Sequence, residues 1–297
     1  MLGAFPPQCQ GIQEYCRAVA EALGTRCGVI ALGFKRMYPR FLFPGVKEAM
    51  DPTKTGMTGP YLEARHRLTW YNPLGWLAGA LFTRGDVFHL QWWSLPLFPV
   101  AVTFLICMKL RRKPVVVTVH NVLPHEGQEW FVPAGRLICR MADRVLVHSA
   151  VNRDQLMEHY GLDAGRVEIV PMAVREEQTD LPGQEAARKS LGLKNDAPVV
   201  LFFGIIRPYK GVNILLRAFS LARKKCPNAR LIVAGRPWEP WEPYESLIAE
   251  LELGDSVILD LGYVPEARVG TLYSAADVVV LPYTHFDAQS AVGAQAM

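Results

Sequence analysis

A doubly wound α/β architecture in two tandem domains is what this sequence predicts, on three observations. At 297 residues the chain exceeds what one hydrophobic core usually holds. Short apolar strand-like runs alternate with helical runs through most of its length, the pattern of parallel strands joined by crossover helices. The alternation lapses between Pro171 and Pro198 and then restarts. The expected domains are therefore 1–174 and 196–297, with 175–195 as a linker built around the polar stretch Arg175-Glu-Glu-Gln-Thr-Asp-Leu-Pro-Gly183. A short helical piece is read inside it from Gln184 to Leu191.

In the first domain, helix is read from Gln13 to Leu23, where Tyr15, Val19, Ala22 and Leu23 share a face at helical spacing. Strands are read near Val29–Gly33, Val87–Leu90, Val115–Val119, Val145–His148 and Val167–Val170. The run Leu95–Met108 is apolar apart from Thr103 and is followed by Lys109, Arg111, Arg112 and Lys113. It falls short of the roughly 20 residues a bilayer span needs, and Pro96 and Pro99 interrupt its start, so it is read as a buried crossover helix. The second domain reads as strand Val199–Phe203, helix Val212–Lys225, strand Leu231–Ala234, helix Tyr244–Leu251, strand Val257–Asp260, helix Glu266–Tyr273 and strand Val278–Leu281. Doubly wound halves commonly run to about six strands, so this domain is expected to be incomplete. The opening Met1-Leu-Gly-Ala-Phe-Pro-Pro lacks a positive leader and is broken by prolines, so no secretory signal is read there.

Composition narrows the function classes. Half the residues are apolar, 20% are charged and no low-complexity tract occurs, so the chain should fold rather than stay disordered. A net charge of +4 favours anionic partners but lacks the dense basic stripe of a nucleic-acid binder. The basic tetrad after the apolar run suggests a peripheral contact with an anionic membrane, with a solvated face as the plainer reading. Six cysteines without Cys-x-x-Cys or metal-ligand spacing read as reduced, mostly buried thiols in a cytoplasmic protein.

The most informative segment is Leu201-Phe-Phe-Gly-Ile-Ile-Arg-Pro-Tyr-Lys-Gly211. An apolar strand runs into a glycine turn at Gly204 and delivers Arg207 and Lys210 to a helix start. The free N–H groups and positive dipole end of that helix face the turn, and two cations beside them suit a diphosphate. Taken singly, each could be a solvated loop charge.

Together with Ala229-Arg-Leu-Ile-Val-Ala-Gly235 and Ala275-Ala-Asp-Val-Val-Val-Leu-Pro-Tyr283, this segment resembles the donor domain of family 4 glycosyltransferases. Thr118-Val-His-Asn-Val-Leu-Pro-His-Glu126 and Ala142-Asp-Arg-Val-Leu-Val-His-Ser149 resemble blocks of that family's acceptor domain in the right order. The resemblance implies the GT-B fold, two Rossmann-like domains facing across a cleft, with the nucleotide-sugar held by the second. It implies that Arg207 and Lys210 stabilise the departing diphosphate and that His120 faces the donor sugar. A lone histidine after an apolar strand is also read as a satisfied core residue. Much of the family has its arginine directly after the glycine, where this chain has Ile205. The family's two glutamates, seven residues between them, fall here on Asp287 and Gln295. Asp287 keeps a carboxylate or caps the next helix, while Gln295 offers the ribose uncharged hydrogen bonds. Ser290 and Ala291 open that helix near the distal phosphate. The loop before the first helix places Gln10 and Gly11 where the family has paired glycines for the acceptor.

The resemblance also implies retention of anomeric configuration, a glycan or lipid-linked acceptor and a role in surface polysaccharide or glycolipid assembly. No metal or other cofactor is expected, because no Asp-x-Asp or His/Cys cluster occurs. The cluster Pro237-Trp-Glu-Pro-Trp-Glu-Pro-Tyr244 reads either as a proline-held packing loop or as a sugar platform. Two other classes remain: a nucleotide-sugar binder without catalysis, given the altered glutamate pair, and a single-pass membrane protein.

Overall fold

β-Branched runs such as Val115-Val-Val-Thr-Val119 favour extended backbone, and here both faces of the resulting sheets are covered by helices. The computed structural model describes residues 1–6, 11–39, 57–123, 130–172, 181–284 and 290–296. The chain divides into two compact units, with the boundary between Arg175 and Glu176.

The first unit contains α1 (Gly11–Leu23), β1 (Val29–Arg36), β2 (Leu62–Thr69), α2 (Pro73–Phe82), β3 (Phe88–Trp92), α3 (Phe98–Leu110), β4 (Val115–Val119), α4 (Phe131–Met141), β5 (Arg144–Val147), α5 (Ala150–Gln155) and β6 (Val167–Ile169). Strands β3, β4, β5 and β6 pair in that order, and β1 pairs with β2, all in parallel. Leu2 bridges the two groups, pairing with both Leu32 and Leu90. Its N–H donates to the His89 carbonyl at 2.8 Å and its carbonyl accepts from Gln91 N–H at 2.9 Å. The N-terminal segment thus completes a doubly wound order. A large core holds Trp92, Phe104, Ile138 and Tyr160 on one side, and a smaller one holds Phe5, Tyr15 and Cys16. Each such large side chain removed from water contributes about 2–3 kcal/mol.

The run expected as a crossover helix is α3, preceded by a 3₁₀ turn at Leu95–Leu97, with Pro99 in its first turn. Val100, Ala101, Phe104, Leu105, Cys107 and Met108 are buried. No helix among the described residues is long and apolar enough to cross a membrane. Among the described cysteines, Cys16, Cys107 and Cys139 are buried as expected, whereas Cys27 and Cys226 are exposed.

The second unit contains α6 (Gln184–Ser190), β7 (Val199–Phe203), α7 (Val212–Arg223), β8 (Arg230–Gly235), α8 (Glu242–Glu250), β9 (Val257–Leu261), α9 (Glu266–Ala275), β10 (Val278–Val279) and α10 (Ala291–Gln295). Its parallel sheet runs β10-β7-β8-β9, so the strand order reverses between β7 and β10. Cores on both faces are filled, one by Phe202, Leu216 and Phe219, the other by Leu201, Ile232 and Leu272. The stretch expected to link the domains is in part packed here. Ala187 and Leu193 lie in the second core, and Arg188 is buried.

Arg188 explains that packing. Its guanidinium is 2.7 Å from the Asp277 carboxylate and donates to the Ala275 carbonyl at 3.1 Å. Asp277 in turn accepts from the Val199 N–H at 2.8 Å, fixing the head of β10 against the head of β7. The first unit repeats the device. Asp143, ahead of β5, accepts from the Val115 N–H at 2.7 Å and from Lys109 at 2.7 Å, and both charged side chains there are well exposed. Asp277 is itself 43% exposed, but removing its carboxylate leaves the 6%-exposed Arg188 guanidinium without its counter-charge and the Val199 N–H without its acceptor, which costs more than breaking an exposed pair. Asp277→Ala is therefore expected to destabilise the second unit by about 2 kcal/mol. Lys109→Ala should destabilise the first by no more than about 1 kcal/mol, as read from denaturant midpoints.

Candidate functional site

In the second unit the expected anion turn lies at the carboxyl end of β7, beside the point where strand order reverses. That is where an open α/β sheet forms its ligand crevice. Gly204 has φ 124°, and a Cβ on Gly235 would fall 1.9 Å from the Gly204 carbonyl oxygen, so the two strand ends touch through bare backbone. Ile206 is buried, and its N–H donates to the Arg236 carbonyl at 2.9 Å. A 3₁₀ turn over Pro208–Lys210 follows, and Gly211 at φ 69° opens α7 without a side-chain cap. Only glycine fits there, because a Cβ would lie 2.0 Å from the Pro282 carbonyl oxygen.

Lys210 is half-buried. Its Nζ donates to the Tyr283 hydroxyl at 2.6 Å and sits 3.9 Å from that ring's centroid. The Tyr283 hydroxyl is 3.2 Å from Ser290 Oγ, and Ser290 caps α10 by accepting from the Gly293 N–H at 3.3 Å. Burial and then the nearby Arg207 charge lower the Lys210 pKa to about 8. No carboxylate pairs with Lys210 among the described residues. A partly desolvated ammonium beside a neutral phenol is chemically suited to an anion. Arg207 stacks on Trp238 at 4.3 Å, which fixes the guanidinium plane.

The structure therefore brings together Gly204, Arg207, Lys210 and Ser290, with Ala291 as the first residue of α10 and Gln295 as its last. Asp287 and Gln10 lie outside the described residues, as do His125 and Glu126. Tyr283 and Trp238 were not singled out from sequence as partners of the two cations. The signal for Tyr283 was present, since it ends the same Val-Val-Val-Leu-Pro-Tyr block that leaves β10. Within the aromatic loop, Trp241 stacks on Tyr244 at 5.0 Å and packs against the core, while Trp238 is exposed beneath Arg207. The loop thus divides between packing and cation support.

In the first unit, His120 follows β4 and is 5% exposed. Its Nε2 lies 2.8 Å from the Gln91 amide, and its Nδ1 lies 3.4 Å from His148 Nε2. His148 Nδ1 donates to the Val170 carbonyl at 3.0 Å and a neutral His120 donates from Nε2 to the Gln91 carbonyl oxygen, so the contact between the two rings brings their unprotonated nitrogens together. His89 contacts Thr118 at 2.7 Å and Gln91 at 3.1 Å. The Tyr15 ring packs edge-on against both His120 and His148. Gly11 opens α1, and two residues on, Gln13 is fully buried with neither amide atom hydrogen-bonded among the described residues. A buried amide without a hydrogen bond costs about 1–3 kcal/mol.

Burial lowers the pKa of His89 to about 4, and lowers those of His120 and His148 as well. The unfolded chain therefore takes up protons below about pH 6.5 that the folded chain refuses. Stability contributed by these groups is complete above about pH 6.5 and is lost as pH falls toward 4. The melting temperature should drop steeply across that window. His89→Asn should lower the plateau and flatten the slope.

A family profile described as Glycosyltransferase Family 4 matches residues 10–178, more than half the chain, and one described as Glycosyl transferases group 1 matches residues 183–293. A D-inositol 3-phosphate glycosyltransferase of Rhodococcus opacus is 28% identical over 253 residues, which is 79% of this chain and 52% of that protein. One from Acidothermus cellulolyticus is 30% identical over 232 residues, 74% of this chain and 49% of that protein. The chain thus spans about half the length of these relatives. The crystal structure of Anabaena HepE in complex with UDP-glucose superposes with a TM-score of 0.68 at 17% identity, covering 99% of this chain and 76% of that one. WaaG, a glycosyltransferase involved in lipopolysaccharide biosynthesis, gives 0.61 at 14% identity, covering 99% and 77%. These structural likenesses establish the fold, two parallel-sheet α/β domains of the GT-B class. With its profile match across the first unit and a second unit of the same architecture, the chain belongs to glycosyltransferase family 4.

Proposed function

We propose that this chain transfers a sugar, with retention of configuration, from a nucleotide-sugar donor to a glycan or lipid-linked acceptor in surface polysaccharide or glycolipid assembly at the inner face of a membrane. The observation that carries the reading is Lys210, partly desolvated beside the uncapped start of α7 and, among the described residues, without a carboxylate. Breaking the bond between sugar and diphosphate leaves negative charge on the departing oxygen. A preplaced ammonium and free helix N–H groups lower that barrier without reorganising. Arg207, braced by Trp238, adds a second cation, and Gly204 lets the donor approach bare backbone. These charges do the work that a divalent metal does elsewhere.

In this reading His120 faces the transferred sugar, Asp287 supplies the carboxylate near it, Gln295 bonds the ribose, and Gln10, Gly11 and Gln13 meet the acceptor. Same-face attack lets the leaving phosphate take the acceptor proton. The UDP-glucose complex of HepE makes UDP-sugars the first donors to screen. A thermal-shift series against UDP-, GDP- and ADP-sugars names the class, because a ligand held at 100 times its Kd stabilises by about 2.7 kcal/mol. A second reading, a donor-binding protein without transfer, is favoured by Gln295 standing where the family has a glutamate. Tight donor binding with no donor hydrolysis and no transfer would select it.

Lys210→Ala should lower donor turnover by roughly 10²–10³ in a coupled nucleotide-release assay. An unchanged rate removes Lys210 from the mechanism. Because an ammonium with a pKa of about 8 loses its charge as pH rises, donor affinity should weaken through pH 8. Lys210→Arg should keep it flat, as titration calorimetry reads directly. Gln13→Leu should leave the melting temperature unchanged or higher while raising the acceptor KM, since it removes an orphan amide along with its ligand contact.

A further inference from the structure

The basic tetrad expected to meet a membrane is partly committed to the fold. Lys109 pairs with Asp143, and Arg111 donates to the Ala80 and Thr83 carbonyls, closing the end of α2. The apolar helix before the tetrad is largely buried. The exposed apolar surface lies instead on α2, ten residues with no charge among them. Trp76 and Ala80 face the core. On the outward side Leu74 is 78% exposed, Leu77 42%, Leu81 45% and Phe82 79%, at the spacing of one helical face. A helix that is apolar on both sides requires a second apolar environment.

The ends of this stripe show which environment suits it. Just ahead of the Asn72 cap, Trp70 and Tyr71 pack edge-on at 5.5 Å, both exposed, and the Tyr71 hydroxyl accepts from Arg36 at 3.5 Å. At the other end stand Phe82, Arg84, Arg112 and, beside the end of α3, Leu110 at 79% exposure. Arg112 is exposed at φ 53°, and Lys113 lies 3.6 Å from the exposed Asp86. Asp86 and Asp143 are the carboxylates paired into this end, against five cations at Arg84, Lys109, Arg111, Arg112 and Lys113. Aliphatic residues in the middle, indole and phenol beside one arginine at one end and an excess of cations at the other is the pattern of a helix lying in a bilayer interface. At 1.5 Å per residue α2 is far too short to cross one.

We propose that α2 is the docking surface of this protein for an anionic bilayer. Its stripe of Leu74, Leu77, Leu81 and Phe82 enters the headgroup–acyl boundary while Arg36, Arg84, Arg112 and Lys113 meet lipid phosphates. This rests on the lipid-linked acceptor proposed above for its purpose, and its test reads binding alone. The full chain is floated with phosphatidylcholine vesicles, with and without phosphatidylglycerol, at low and high salt.

Wild type is expected to float with the anionic vesicles and to be released by salt. Leu74→Glu/Phe82→Glu should weaken vesicle binding by more than about tenfold. Both side chains point outward, so the melting temperature and donor binding should be unchanged. Arg84→Gln/Arg112→Asn should weaken it roughly fivefold per cation removed. Wild type remaining in the aqueous layer at low salt overturns the proposal, as does either double variant binding like wild type. A lipid-free dimer dissolved by Leu74→Glu/Phe82→Glu, without vesicle binding, would assign the face to a second copy of the chain. Loss of donor turnover with vesicle binding intact counts against the transferase reading and leaves this surface standing.

Discussion

In each unit a single aspartate ahead of a strand accepts a hydrogen bond from the first N–H of its neighbour, and the geometry of both sheets follows from that contact. Asp143 fixes β5 against Val115, and Asp277 fixes β10 against Val199. In the second unit the consequence reaches the site. With β10 seated beside β7, the chain leaving it carries Pro282 onto Gly211 and Tyr283 onto Lys210. The reversal of strand order, the glycine that only a bare backbone position permits, and the lysine beside it are one arrangement.

That arrangement keeps a cation partly out of water. Burial disfavours the charged ammonium, and Arg207 nearby disfavours it further. Among the described residues no carboxylate pairs with Lys210; such a pairing would cancel both effects and also its attraction for a phosphate. A phenol hydroxyl and two aromatic rings offer it a partner without a formal charge. The first unit follows the opposite course. There burial lowers the pKa values of His89, His120 and His148, and these rings are ordered by Thr118, by Gln91 and by the Val170 carbonyl. The chemistry suited to each differs accordingly: charge stabilisation in the second, oriented neutral hydrogen bonding in the first.

The elements that sequence reading located well are those whose patterns come from burial on both faces. β4 and β7 fall on the expected residues, and α3 was correctly read as a crossover rather than a span. The pair β2 and α2 was missed for a physical reason. β2 carries Glu63, Arg65 and Arg67 among its residues, so it lacks an apolar run, and α2 is apolar all round, so it has no helical periodicity to detect. The stretch 175–195 looked like a linker because it is polar. Arg188, the residue that anchors it, reads as a surface charge until Asp277, far along the chain, is beside it.

By itself the sequence determined the alternating parallel architecture, the family, and the presence of Arg207 and Lys210 in a glycine-flanked turn, because strand periodicity and the residues of that turn are local in the chain. Only the tertiary structure decided what Lys210 is paired with, which ring supports Arg207, that His120 belongs to a buried network, and which helix presents its apolar side to the surroundings. Each of these depends on desolvation by residues distant in sequence. Desolvation is a property of the packed chain, and no local pattern encodes it.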